Sequence, residues 1–109
     1  MDSDVRRTRD SVVVSLGGDA DLGAAPSLKQ VFSRAVAMAS DSTTVLVIDL
    51  DGVLVLDDTA IGLVVGAAAG ARRAGLDVEL ICTDPRLRAR LAETRVDQIL
   101  TIRDERRRA

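Results

Sequence analysis

TTVLVIDLDGVLVLDDTAIGLVV, residues 43–65, places two adjacent carboxylates and a hydroxyl between two apolar segments. Residues 43–50, TTVLVIDL, form a continuous β-branched and aliphatic run. That is the pattern of a strand buried on both faces of a sheet. Val53, Leu54, Val55 and Leu56 make a second strand-like run. Residues 60–74, AIGLVVGAAAGARRA, read as a helix, with Gly75 as its stop. Asp57, Asp58 and Thr59 therefore fall at a strand-to-helix junction. A helix start leaves backbone N–H groups unpaired and carries partial positive charge. Asp57 suits the N-cap and Asp58 the first turn. Such a cap is worth about 1 kcal/mol, and a first-turn acid roughly 0.3–1 kcal/mol more. The same physics welcomes an anion, and a hydroxyl phosphorylated there gains a charge of about −2. Spacing alone does not choose between a structural cap and a functional site.

The flanking sequence repeats the alternation. SVVVSLGG (residues 11–18) reads as a strand closed by a Gly pair, and SDVRRTRD before it as a charged edge strand joined through a turn near Asp10. In APSLKQVFSRAVAMAS, the residues Leu28, Val31, Phe32, Ala35, Val36 and Ala39 follow amphipathic helical spacing, and Pro26 suits the first turn. DVELICT (residues 77–83) is a further strand. DPRLRARLAET follows, with Asp84 as N-cap, Pro85 at the first helical position, and Leu87 and Leu91 on one face. DQILTI (97–102) reads as a last short strand, and RDERRRA (103–109) as a charged, solvated tail. Strands alternating with helices predict an α/β layer with parallel pairs and right-handed crossovers. Functional sites in such sheets gather at the carboxyl ends of strands, where the 57–59 junction lies.

Composition narrows the function. At 109 residues a single domain is expected, spanning 1–109. Apolar residues at 47% and charged residues at 29% fit an ordinary globular protein. A formal charge of −2 provides no pull toward nucleic acid, and Phe32, the one aromatic, offers no stacking platform. With Cys82 as the one cysteine and no histidine, neither a zinc site nor a Cys–His nucleophile pair can be built. A lone cysteine and no signal-like leader make a cytoplasmic location the expectation. The longest uncharged run, residues 59–71, is shorter than the roughly 20 residues of a membrane span.

Gly62, Gly66 and Gly70 lie four apart on one helical stripe. Each costs a helix about 1 kcal/mol relative to alanine, so close approach of another backbone is expected. The simplest approach is to the chain's own sheet; a partner-facing groove is the alternative. Asp19 and Asp21, in GGDADLG (17–23), could join Asp57 and Asp58 as a carboxylate cluster for Mg²⁺, although acids after strands are more often turn residues. No nucleophile elbow or phosphate loop occurs. No catalytic residue, metal or cofactor is expected.

These segments resemble the STAS domains, and within them the anti-sigma factor antagonists (anti-anti-sigma factors). The resemblance spans residues 5–102 and rests on three stretches. VVVSLGGDADLGAAPSLKQVF is similar to the family's strand, Gly-acid turn and first helix. TTVLVIDLDGVLVLDDTAIGLVV is similar to its central strand, D-L-x-x-V turn and D-S-S/T-G-L-G junction. GLDVELICTDPRLRARLAETRVDQIL is similar to its Gly-ended helix, next strand, proline-led helix and final strand. The resemblance implies a STAS fold, with a mixed sheet of four to five strands and three to four helices packed on it. It implies a non-enzymatic regulator that binds an anti-sigma factor with serine kinase activity and frees a sigma factor. The kinase phosphorylates the antagonist's serine to release it, and a phosphatase resets it.

At the junction the sequence departs from that pattern. Aligned on Gly62, Asp57 falls on the family's Asp, Asp58 replaces the phosphorylated serine, Thr59 falls on the next Ser/Thr, and Ala60 replaces a glycine. Three outcomes stay open. Asp58 mimics phosphoserine, or it is tolerated in a binding-competent antagonist, or Thr59 is the acceptor. The expected contact residues are Asp21, Asp57, Asp58, Thr59, Ile61 and Gly62. A STAS accessory subunit of a lipid-transport or stress-sensing assembly is the alternative function. The sequence leaves the oligomeric state open.

Overall fold

The computed structural model describes residues 1–104. The strands β1 (Asp2–Arg7), β2 (Ser11–Ala20), β3 (Val45–Leu56), β4 (Asp77–Ile81) and β5 (Thr101–Arg103) form one sheet in sequential order. β1 pairs antiparallel with β2, and the other pairs are parallel. The helices α1 (Ala25–Ala37), α2 (Asp58–Arg73), α3 (Pro85–Glu93) and α4 (Val96–Ile99) fill the crossovers.

Each crossover steps the same way along the sheet, so right-handed connections put every helix on the same face. Packing follows that rule. Val12, Val14, Leu16, Leu46, Ile48, Leu50, Val78 and Leu80 join Leu28, Val31, Phe32, Val64, Leu87 and Leu91 in the main core. The alternate strand residues Val13, Val45, Val47 and Ile81 form a separate small cluster on the opposite face. Strand side chains alternate between faces, so the two clusters are the two sides of one pleat.

β3 is longer than its first apolar run. A turn is expected near Asp51, but the strand continues through Gly52 to Leu56. The β2–β3 register explains this: Ser15 faces Asp49 and Gly17 faces Gly52, so β3 carries an extra residue, and it shifts again between Gly18 and Asp19. A Cβ on Gly52 would lie 2.8 Å from the Leu16 carbonyl oxygen. Only glycine lets the two backbones pass there.

The other elements sit close to expectation. Pro26 lies in the first turn of α1 and Pro85 in that of α3, with Asp84 accepting the Arg86 N–H. α2 begins at Asp58, two residues before the expected start, and ends before Gly75, whose φ is +90°. The expected strand over 97–102 is corrected. Arg95, at φ +62°, breaks the chain out of α3. One helical turn, α4, then buries Val96, and only 101–103 pair as a strand. Arg103 thus belongs to the sheet and not to the expected tail; residues 105–109 of that tail lie outside those described.

The glycine stripe also departs from expectation. Ala60, Val64, Ala68 and Ala71 are the face of α2 that meets the core. Gly62 and Gly66 face away, and a Cβ on either would meet nothing within 4 Å. Gly66 and Gly70 instead floor a shallow groove of about 630 Å³ with Phe32, Val36 and Leu63. Close packing on the sheet is therefore not the reason for these glycines.

Candidate partner-binding site

The end of β3 and the start of α2 form a fixed corner. Asp57 keeps an extended backbone (φ −87°, ψ 174°), and its Oδ1 accepts the Ala60 N–H at 2.9 Å. Its own N–H donates to the Ala20 carbonyl at 3.1 Å, tying the corner to the end of β2. Asp57 is thus the N-cap, and its carboxylate is committed to the helix.

Asp58 is free to face outward. Its side chain is 85% exposed, and its Oδ1 accepts from Arg90 Nη2 at 2.7 Å. Arg90 also donates from Nε to the Leu56 carbonyl at 2.8 Å. One guanidinium on α3 therefore grips both the last residue of β3 and the first acid of α2. Its planar fork of donors suits this double contact. Thr59 beside Asp58 is exposed, and its hydroxyl makes no hydrogen bond among the described residues.

Of the other expected contact residues, Asp21 and Gly62 are exposed. Ile61 is not: it is 5% exposed and packs in the core. Helical geometry turns it inward with Val64 and Ala68, so it supports the surface from beneath. Asp19, Asp21, Asp57 and Asp58 do not converge as a Mg²⁺ cluster; among the described residues no three His, Cys, Asp or Glu side chains form a metal-binding group.

Sequence reasoning missed several neighbours. Leu54 is 71% and Val55 49% exposed, next to the junction. They line a concavity of about 380 Å³ together with Asp57, Leu87 and Arg90. Large exposed aliphatic side chains beside a charged rim are features of a protein-binding surface. The local signal was present: four consecutive apolar residues cannot all face inward from one strand. Arg90 gave no signal, because its partners lie 34 and 32 positions away.

Asp84, at the start of α3, has its carboxyl held below the ordinary range, first by the Arg86 backbone N–H. Asp51 Oδ1 accepts both the Thr83 N–H at 2.8 Å and its hydroxyl at 3.1 Å. These contacts fix the β4–α3 connection beside the corner. Asp51 also raises the thiol pKa of the buried Cys82, second to burial itself. A buried thiol of raised pKa is a poor nucleophile.

The geometry is that of a capped strand-to-helix corner braced by Arg90, and residues 2–109 match the family model of the STAS domain. The chain belongs to the STAS domain family. Solved structures share its fold. An anti-sigma factor antagonist from Mycobacterium paratuberculosis superposes with a TM-score of 0.83 at 24% identity, over 95% of this chain and 86% of that one. SpoIIAA of Bacillus in its phosphorylated form gives 0.68 at 19%, over 95% and 93%. A sulfate transporter family protein from Wolinella succinogenes gives 0.66 at 19%, over 81% and 69%. No curated protein sequence matches the chain. The five-stranded mixed sheet and four α-helices of this STAS domain agree with the expected fold. Among the described residues no helix is long and apolar enough to cross a membrane.

Proposed function

We propose that this STAS domain is an anti-sigma factor antagonist that acts by binding and not by catalysis. In this reading it captures an anti-sigma factor of the serine kinase type and thereby frees a sigma factor. The carrying observation is the exposed first turn of α2, where Asp58 occupies the phosphoserine position suggested by alignment on Gly62. The contact surface comprises Asp21, Asp58, Thr59 and Gly62, with Leu54 and Val55 supplying apolar area. Asp57 and Ile61 hold that surface from within.

Asp58 blocks the ordinary switch, because a carboxylate takes no stable phosphate. It also mimics a phosphoserine poorly. Its charge is −1 against about −2, and Arg90 already pairs with it at 2.7 Å. The protein is therefore a binding-competent antagonist regulated by something other than serine phosphorylation at this position. The test uses a purified anti-sigma kinase, with affinity by calorimetry and intact mass after incubation with ATP. The wild type should bind and keep its mass. Asp58→Ser should bind, gain one phosphate and lose affinity. A phosphate on wild-type Thr59 would move the switch by one residue, and failure to bind any such kinase would remove the proposal.

A second reading is a STAS accessory subunit of a lipid-transport or stress-sensing assembly. The missing serine favours it, as does the apolar groove between α1 and α2. Co-purification separates the two: a kinase-fold protein supports the first, and a transporter or scaffold subunit the second.

A further inference from the structure

β1 is an open sheet edge with a charge order that complements itself. Its sequence runs DSDVRR, acidic at the start and basic at the end. Thr8 N–H donates to the Ser11 carbonyl at 2.8 Å, and the register runs from Asp2–Gly17 to Arg7–Val12. Antiparallel ladders alternate bonded and non-bonded pairs. Asp2, Asp4 and Arg6 therefore bond to β2, and Ser3, Val5 and Arg7 turn their N–H and C=O groups outward. Asp4 and Arg6 face Ser15 and Val13 on the helix-free side of the sheet. Both are exposed, and neither pairs with another described side chain.

We propose that a second copy of this chain docks on β1, strand against antiparallel strand, about a two-fold axis through Val5. In that register Val5 meets Val5, Ser3 meets Arg7, and the outward backbone groups close about six hydrogen bonds. Asp4 of each copy then lies directly opposite Arg6 of the other. That is a non-bonded pair, the closer of the two kinds, and opposite charges there attract. Neighbouring registers fail. A shift by two residues one way sets Asp4 against Asp4, and the other way Arg6 against Arg6. Like charges directly opposite are destabilising. The edge charges thus repel indiscriminate strands, as edge charges do, and select this one partner and register. The product is a continuous sheet of two five-stranded halves with all helices on one side. Its junction sites stay open, so the dimer does not depend on the proposed partner.

Sedimentation velocity at low ionic strength tests this. The wild type should show a reversible monomer–dimer equilibrium that weakens as salt screens the charges. Asp4→Arg and Arg6→Asp each turn two attractive pairs into repulsive ones, and each should weaken dimerisation by about tenfold or more. An equimolar mixture of the two variants restores both pairs and should associate like the wild type. Val5→Pro removes an outward N–H without removing a bond to β2, and should be monomeric. A wild type that stays monomeric at low salt overturns the proposal. So does a dimer that survives Val5→Pro and both reversals, or a mixture that fails to associate although each variant is folded by circular dichroism.

Discussion

Arg90→Ala separates the two jobs of the guanidinium, and the geometry fixes which one dominates. The Nε–Leu56 carbonyl bond is 2.8 Å long and ends on a residue that is 3% exposed. Hydrogen bonds with a charged donor contribute about 1.5–3 kcal/mol. The Arg90 side chain is 39% exposed, so water can partly replace it, and the lower end applies. The Asp58 pair adds only about 0.2–1 kcal/mol, because the carboxylate is largely in solvent. Arg90→Ala should therefore cost about 2 kcal/mol. At an m-value of about 1–3 kcal/mol per molar urea, the midpoint falls by about 1 M. Asp58→Asn removes the pair and a first-turn charge but leaves the Leu56 bond intact. In the Asp58→Asn background, Arg90→Ala should still cost about 1.5 kcal/mol, a coupling below about 1 kcal/mol. If the cost of losing Arg90 vanished in that background, the ion pair and not the backbone bond would hold α3 to the corner, and the reasoning would be wrong.

Gly52→Ala should destabilise by about 1–3 kcal/mol, since its Cβ would sit 2.8 Å from Leu16 O and 3.2 Å from Gly17 Cα; urea midpoints check this. Gly66→Ala should do the opposite, gaining up to about 1 kcal/mol of helix propensity in a position where a Cβ meets nothing within 4 Å; a fall in thermal midpoint would refute it. The buried Cys82 thiol has its pKa raised from 9.0 by burial first and Asp51 second. The native state then holds this proton longer than the unfolded chain does, so the contribution is fully present below pH 9.0 and is lost as pH rises beyond it. Cys82→Ser should flatten that alkaline loss in denaturation series from pH 8 to pH 10.5.

Strong local patterns reached the structure intact. The aliphatic, β-branched runs became β2, β3 and β4; Asp57 and Asp84 became caps because each precedes a helical period and has an oxygen to offer. What failed was non-local. The turn expected near Asp51 is a continuing strand because a bulge against β2 absorbs the extra residues, and a bulge is a property of two strands. The simpler expectation put the glycine stripe against the sheet, but a second stripe at four-residue spacing, Ala60, Val64 and Ala68, takes that face. Small residues on both stripes made the inward face of α2 ambiguous from sequence. Residues 97–102 read as a strand because Ile99, Leu100 and Ile102 carry no period long enough to reveal a one-turn helix. At the site, the acids and hydroxyl were legible from chain chemistry, but Arg90 was not.

Arg90 also bears on what Asp58 can signal. A phosphate switch works because charge arrives and leaves. Here the carboxylate is permanent and its counter-charge sits 2.7 Å away on α3, so the first turn of α2 presents little net charge beyond the capping Asp57. A partner that rejects a phosphorylated antagonist responds to a charge of about −2 and to three acceptor oxygens. A paired carboxylate supplies neither. Asp58 should therefore resemble the unmodified state, and removing Arg90 should move it toward the modified one by unmasking the charge. The expected order of affinity for an anti-sigma kinase is Asp58→Ser at or above wild type, and wild type above Arg90→Ala. If Arg90→Ala, once shown to be folded, bound more tightly than wild type, local charge would not be what the partner senses.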